Sequence, residues 1–358
     1  PLVVTDRALA RLPVATGFVA ALKAAGLDVA VYDGVHGNPT AAQANAGGAA
    51  FRAHAADCVV GLGGGAALDV AKIVGVLGTH DGDALEFAWD HPSVRAIGDD
   101  LPYFVALPTT AGTGSEVGRS AVISEDDTHV KRIVFSPRIL ARAVFADAEL
   151  TLGLPAPITA ATGMDALTHN VESYLSPAYH PLCDGIALEG VRIAARALPV
   201  AVRDGANLPA RADMLMSSMM GAIAFQKDLG AVHSCAHALS TVADLHHGLA
   251  NGVMIDHVMR FNLPAATARM AELARVAGVP GAAAMGDEAG AAAFVDWLGR
   301  LKAELGIPAR LSGLGGPRPV TPADVPALVA IAERDLCHQT NPRPCTAADF
   351  ERLFAAAM

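Results

Sequence analysis

The sequence predicts two domains: an α/β domain over residues 1–152 built on a doubly wound, mostly parallel sheet, and an all-α domain over residues 153–358. Three observations predict this. A chain of 358 residues is longer than one hydrophobic core comfortably supports. From Pro1 to about Leu150, short β-branched runs alternate with alanine-rich helical stretches, the pattern of parallel strands joined by crossover helices. Beyond Leu150 strand signals almost vanish and apolar residues recur at helical spacing.

In chain order, the strand candidates are Leu2 to Thr5, Val29 to Tyr32, Cys58 to Leu62, Tyr103 to Leu107, Ala121 to Ser124, Ile133 to Phe135 and Ala143 to Ala146. Helical windows at about Pro13 to Ala25, Ala41 to Ala55 and Ala66 to Leu77 separate the early ones. Gly153, Pro155 and Pro157 then break the pattern, and helices are expected over Ile158 to Tyr174, Ile186 to Val202 and Ala212 to Phe225. No internal repeat or low-complexity linker interrupts the chain. The crevice between two such domains is the default place for a site.

Composition excludes several classes of function. Hydrophobic residues make up 52%, much of it alanine, and no apolar run approaches the roughly 18 to 20 residues that span a bilayer. The start, Pro1-Leu2-Val3-Val4-Thr5-Asp6, lacks the features of a secretory signal, so the chain is read as cytoplasmic. Five cysteines, none two residues from another, argue against a disulfide framework or a cysteine zinc knuckle. A net charge of -10 with both signs scattered gives phosphate backbones nothing to grip, which excludes nucleic acid as a partner. The 13 histidines are the feature to follow, because imidazole is both a metal ligand and a proton carrier.

Two turns are shaped for phosphate. Val59 to Lys72 runs from a strand through Gly63, Gly64 and Gly65 into a helix, where backbone lacking Cβ atoms and a helix N-terminus together favour an anion. The spacing is GLGGG and not the GxGxxG of the Rossmann fingerprint, and such a turn also occurs with no ligand. A second turn, Pro108 to Glu116, carries Thr109, Thr110, Thr113 and Ser115; it also reads as a helix start, with Thr113 capping and Glu116 completing a capping box. Asp6 ends the first strand, where a carboxylate accepts from ribose hydroxyls and repels a 2′-phosphate, favouring NAD over NADP; a lone Asp there also forms turns.

Asp165 and His169 stand four residues apart, on one face of a helix, and His233 and His237 repeat that spacing, with His246 and His247 following. A carboxylate with imidazoles suits Fe(II) or Zn(II) better than magnesium or calcium. Spacing alone leaves open which of His233, His237, His246 and His247 face a cation, and a single helical histidine is more often a satisfied core or surface residue.

Those segments, GLGGGAALDVAK, LPTTAGTGSEV, ATGMDALTHNVESYLS, HSCAHALSTVADLHHGLANGVM and CHQTNPRP, resemble the iron-dependent, or group III, alcohol dehydrogenases of the dehydroquinate synthase-like fold, across almost the whole chain. The resemblance implies a dinucleotide-binding domain over 1–152 and a helical metal-binding and substrate domain over 153–358. It implies metal ligation by Asp165, His169, His233 and His247, with His237 near the nicotinamide. Gly63, Gly64 and Gly65 take the pyrophosphate, Asp69, Thr109, Thr110, Thr113 and Ser115 line the NAD, Asp6 sits by the adenine ribose, and Lys131 lies near the cofactor cleft. Its substrates are small alcohols and aldehydes and its assembly is a homodimer. Fe(II) or Zn(II) acts as Lewis acid in reversible alcohol oxidation, with His237 in the proton relay and Phe225 and the neighbours of Asn170 and Leu229 lining the substrate pocket.

Three departures stand out. Ala66 replaces the serine usual after the glycine triplet, His246 replaces the proline common before the last ligand, and the sequence begins at the first strand of the nucleotide half, where relatives carry a short preceding segment. The interval of fourteen residues from His233 favours His247 over His246 as the ligand. A cyclase or lyase of the dehydroquinate synthase kind is the alternative reading, but it needs a basic pocket for a phosphorylated substrate and the helical half shows no such cluster. A metal- or nucleotide-binding protein without turnover is the other, and the undamaged ligand set speaks against it.

Overall fold

A computed structural model describes residues 1–314 and 318–358. The chain divides into two compact units, one of residues 1–110 and 114–151, the other of residues 111–113 and 152–358.

The first unit is a five-stranded parallel sheet. Its strands are β1 (Leu2–Asp6), β2 (Ala30–Val35), β3 (Cys58–Gly63), β4 (Tyr103–Pro108) and, after a separate hairpin of β5 (Ser120–Ser124) and β6 (Lys131–Phe135), β7 (Ala143–Val144). The order across the sheet is β2-β1-β3-β4-β7. Side chains alternate between its faces as a period of two requires. Val3, Val60, Leu62 and Leu107 pack with helix α1 (Pro13–Ala24), while Leu2, Val4, Val59, Phe104 and Ala106 pack with α2 (Ala41–Ala53) and α3 (Gly65–Thr79). Helices therefore cover both faces, the doubly wound arrangement expected. Pro13 opens α1 at a position whose N–H has no helical partner, and Thr40 caps α2 through its hydroxyl.

The segments Ala121 to Ser124 and Ile133 to Phe135, read in sequence alongside the parallel strands, belong to that antiparallel hairpin. The six residues joining β5 to β6 are too few for a crossover, which needs a dozen or more, so the pair closes on itself.

The second unit holds α4 (Ala156–Leu175), α5 (Pro181–Arg203), α6 (Leu208–Ala224), α7 (Ala231–Ala243), α8 (His247–Val276), α9 (Asp287–Glu304), α10 (Val325–Ala332) and α11 (Ala347–Ala357), with short 3-10 turns between them. Helix α4 is buried at every position from Thr159 to Leu175, so no solvated stripe remains on it. Among its polar side chains, Thr168 Oγ1 donates to Met164 O and Asn170 Nδ2 donates to Ala166 O and Ser217 O, while Asn170 Oδ1 and Ser173 Oγ have no partner among the described residues. Pro264 removes a hydrogen bond within α8, and the helix kinks at Ala266, where φ is -135°.

Glycine brings α8 against α4. A Cβ on Gly248 would lie 2.3 Å from the carbonyl oxygen of Ala161 and 3.3 Å from Asp165 Cβ, so only hydrogen fits there. Gly248→Ala forces α8 away from rigid backbone, and chemical denaturation is expected to show it destabilised by about 1–3 kcal/mol, the usual effect of overpacking. Metal content falls with it, because the neighbouring His247 moves with α8.

Candidate active site

Asp165 and His169 project from the same face of α4, four residues apart within its buried stretch from Thr159 to Leu175. His233 comes from α7 and His247 from the first turn of α8. The three imidazoles converge on a single oxygen: Asp165 Oδ1 lies 3.4 Å from His247 Nε2, 3.7 Å from His233 Nε2 and 3.8 Å from His169 Nε2. One donor atom from each of the four residues lies within 4.8 Å of the others. Ligands about 2.1 Å from a tetrahedral cation stand about 3.4 Å apart, and the three Asp165–imidazole distances lie within a few tenths of an ångström of that spacing. The chemistry of the donors agrees, since one carboxylate oxygen and three imidazole nitrogens are ligands that Fe(II) or Zn(II) takes. Asn251, one turn after His247, donates from Nδ2 to Asp165 Oδ1 at 2.7 Å, and the same nitrogen lies 3.2 Å from His247 Nε2 and 3.3 Å from His233 Nε2.

These groups set one another's protonation. Burial pushes the Asp165 carboxyl up, but His169, His247 and His233 outweigh it and hold the group well below the usual carboxylate range. Burial would push His233 down, yet hydrogen bonds to Asp165 and Glu172 carry it up to about 9. His169 is lowered to about 4, chiefly by burial and further by the neighbouring His233, with Asp165 opposing. The rings of His169 and His233 stack at 4.6 Å, and Phe225, expected as a pocket residue, lies 5.2 Å from the His169 ring. Asn170, whose neighbours were expected at the pocket, is itself fully buried in helix contacts.

The two adjacent histidines have different tasks. His246 is the N-cap of α8, its Nδ1 accepting from Leu249 N at 3.3 Å, whereas His247 faces Asp165. His237, on α7, carries its Nδ1 2.7 Å from Asp335 Oδ2, and its ring stacks on that of His247 at 5.3 Å. Burial pushes the Asp335 carboxyl up, but His237, with donations from Ser234 Oγ and Cys337 N, brings it below the carboxylate range.

Sequence reasoning missed Glu172, Asn251 and Asp335. Glu172 lies seven residues after Asp165 on the same stripe of α4, a signal that was available; it accepts from Val232 N at 2.7 Å and its Oε2 lies 2.6 Å from His233 Nδ1. Asn251 follows His247 by four, a second such signal. Asp335 meets His237 across 98 residues of sequence, and no local pattern announces it.

In the first unit, the chain doubles back on itself between β1 and β3, and ligands of open α/β sheets bind outside the carboxyl ends of strands at such a switch. Asp6 ends β1 there, and Gly63 to Gly65 lead from β3 into α3. Gly63 has a φ of +154°, and a Cβ on it would lie 2.7 Å from Ala67 Cβ; one on Gly64 would lie 3.1 Å from Thr110 Oγ1. No side chain caps α3, so its first N–H groups are presented for an anion. This cradle fits a pyrophosphate. Asp6 also forms a turn, its Oδ1 accepting from Ala8 N and Leu9 N at 3.0 and 2.8 Å.

Thr109 N donates to Gly63 O at 3.0 Å, which ties the second turn to the first. Asp69 and Ser115 are braced internally. Ser115 Oγ donates to Asp69 Oδ1 at 2.6 Å, Val122 N donates to Asp69 Oδ2 at 2.9 Å, and the buried Lys72 Nζ reaches Ser115 Oγ and Ser120 O, each at 2.7 Å. The capping box proposed for Thr113 and Glu116 does not form. The helix there is one 3-10 turn, Ser115–Val117, whose N-cap is the left-handed Gly114 with no side-chain cap, and Thr113 groups with the second unit. Glu116 is instead buried, which raises its carboxyl to about 7 against the pull of its own backbone hydrogen bond and of Lys72, and its Oε1 has no partner among the described residues. Lys131 opens β6 opposite Ser124, in the hairpin and not in either turn.

Residues 1–148 match the family profile described as iron-containing alcohol dehydrogenase, and residues 159–358 match that of the C-terminal part of the Fe-containing alcohol dehydrogenase family. A 4-hydroxybutyrate dehydrogenase of Cupriavidus necator is 40% identical, covering 100% of this chain and 92% of that one. A 1,3-propanediol dehydrogenase of Citrobacter freundii is 40% identical over 94% of this chain and 85% of its own. The solved structure of an alcohol dehydrogenase from Oenococcus oeni superposes with a TM-score of 0.93 at 33% identity, covering 100% of this chain and 92% of that one.

His247→Ala is expected to abolish metal retention by elemental analysis, whereas His246→Ala keeps the metal and loses the cap of α8, about 1 kcal/mol of stability. Glu116 gives a test in pH. Its folded value of about 7 lies above the ordinary glutamate value of 4.5, so the folded chain holds a proton that the unfolded chain releases as pH rises through that window, and stability falls. Glu116→Gln removes that loss: its melting temperature matches the parent near pH 4.5 and exceeds it by a few degrees at pH 8. Equal melting temperatures at both pH values would show that Glu116 ionises freely in the fold.

Proposed function

Because the chain belongs to the iron-containing alcohol dehydrogenase family and is a metal-dependent, NAD-linked oxidoreductase of that family, we propose that it interconverts small primary alcohols, diols or hydroxy acids with their aldehydes at the Asp165 centre. The observation that carries this reading is the convergence of three imidazole nitrogens on one buried carboxylate oxygen, at 3.4 to 3.8 Å. Asp165, His169, His233 and His247 would hold Fe(II) or Zn(II), and Gly63 to Gly65, with Thr109 and Thr110, would hold the NAD pyrophosphate. When bound, the cation supplies a Lewis acid that lowers the pKa of the alcohol hydroxyl, and NAD accepts the hydride.

The chain's own residues do the rest. Asp335, ionised, can only accept, so His237 carries its hydrogen on Nδ1 and Nε2 is its basic nitrogen. We assign Nε2 of His237 the uptake of the proton that the alcohol hydroxyl loses on oxidation. Asp6 faces the side of the glycine turn, where its carboxylate favours a ribose diol over a 2′-phosphate and so NAD over NADP. Asp69, Thr113, Ser115 and Lys131 are proposed to line the cofactor, Asp69 and Ser115 through the loop that they brace together. Residues 1–152 act as the dinucleotide-binding domain and 153–358 as the metal and substrate domain, and on the family resemblance the enzyme is taken to be a cytoplasmic homodimer. No described helix is long and apolar enough to cross a membrane. Family membership also favours the dehydrogenase over a cyclase or lyase acting on a phosphorylated substrate.

Protein purified without oxygen and loaded with Fe(II) is expected to form NADH from 1,3-propanediol or 4-hydroxybutyrate. Absence of NADH across a broad alcohol panel, with metal and NAD both bound, would sink the assignment. His237→Ala should lower kcat by about 10²–10⁴-fold, the usual contribution of a positioned acid or base, and leave metal content intact. Loss of metal from that variant would make His237 a ligand.

A further inference from the structure

We infer that Glu172 is a positioning residue for the metal centre, holding His233 in the tautomer whose Nε2 lone pair faces the cation site. The inference rests on reading Asp165, His169, His233 and His247 as metal ligands. Glu172 and His233 are each 1% exposed, and Glu172 Oε2 lies 2.6 Å from His233 Nδ1. Both oxygens of the carboxylate already face backbone N–H groups as acceptors, so Nδ1 is the donor in this contact. The hydrogen on Nδ1 leaves Nε2 as the coordinating nitrogen, on the side where Asp165 Oδ1 lies 3.7 Å away.

Two further contacts and a glycine keep the carboxylate in that pose. Its Oε1 accepts from Val232 N at 2.7 Å, and Oε2 lies 3.4 Å from His233 N, so the same group satisfies first-turn N–H groups of α7. Gly230 makes the approach possible, because a Cβ there would lie 2.6 Å from Glu172 Oε1. Helix α4 thus presents Asp165, His169 and Glu172 along one stripe, two side chains for the cation and one for the far nitrogen of the imidazole that α7 contributes.

A capping role alone and a positioning role differ in Glu172→Gln. The glutamine keeps one oxygen, enough to accept from Val232 N, but then turns an NH₂ toward His233 Nδ1. That NH₂ forces Nδ1 to accept and moves the ring hydrogen to Nε2, the nitrogen that must bind metal. Metal-stripped wild type titrated with Co(II) against a competing chelator is expected to bind one ion per chain. Glu172→Gln is expected to bind it about 10–100-fold more weakly, with unchanged far-UV circular dichroism in the stripped state. Equal affinity in the folded variant overturns the inference and leaves the metal site standing, whereas wild type that binds no Co(II) overturns the metal site and the inference together. The Zn(II)-loaded wild type reads the same point without substitution, should the variant not fold. Its ¹⁵N spectrum is expected to show His233 coordinated through Nε2 with hydrogen on Nδ1, and coordination through Nδ1 would refute the positioning role.

Discussion

Asp165 is 2% exposed and meets three imidazole nitrogens within 3.8 Å of one of its oxygens. A carboxylate withdrawn from water this far costs several kcal/mol unless positive charge stands beside it. The protein answers with His233, raised to about 9 between Asp165 and Glu172, and with the amide of Asn251. A divalent cation answers the same demand more completely, since it meets all four donors at once. Affinity for the ion and intolerance of an unpaired Asp165 are thus two expressions of one electrostatic constraint.

The rest of the second unit follows from that constraint. Ligands from three helices converge only if the helices approach closely, and α4 is buried along its length to allow it. Gly248 lets α8 touch the backbone of α4 beside His247, and Gly230 lets Glu172 reach the start of α7. Thr168 and Asn170, polar side chains within this layer, bond back to helix carbonyls.

The first unit prepares for negative charge by a different route. Backbone N–H groups at the uncapped start of α3 and the space left by missing Cβ atoms do the work. Replacement of the expected serine by Ala66 removes a hydroxyl and spares those donors. Asp69, Lys72, Ser115 and Ser120 form a buried brace that ties the second turn to α3 and β5, so the loop that would line a cofactor is held by interactions inside its own unit.

Sequence periodicity alone determined which segments are strands and helices in the first half, where the helices begin, and that Asp165 and His169 share a face, because each follows from contacts between residues a few positions apart. The family motifs extended this to the four residues that the fold gathers around Asp165 Oδ1. Packing between segments decided the remainder. It made β5 and β6 a separate hairpin, gave His246 the cap and His247 the cluster, and paired His237 with Asp335 across 98 residues. Glu172 lay between the two cases: its place on the Asp165 stripe was legible, but its partner on α7 was not. The reason is physical. Local dihedral preferences and hydrophobic period are written into neighbouring residues, whereas the distance from an imidazole to a carboxylate on another helix is set by how closely the two helices pack.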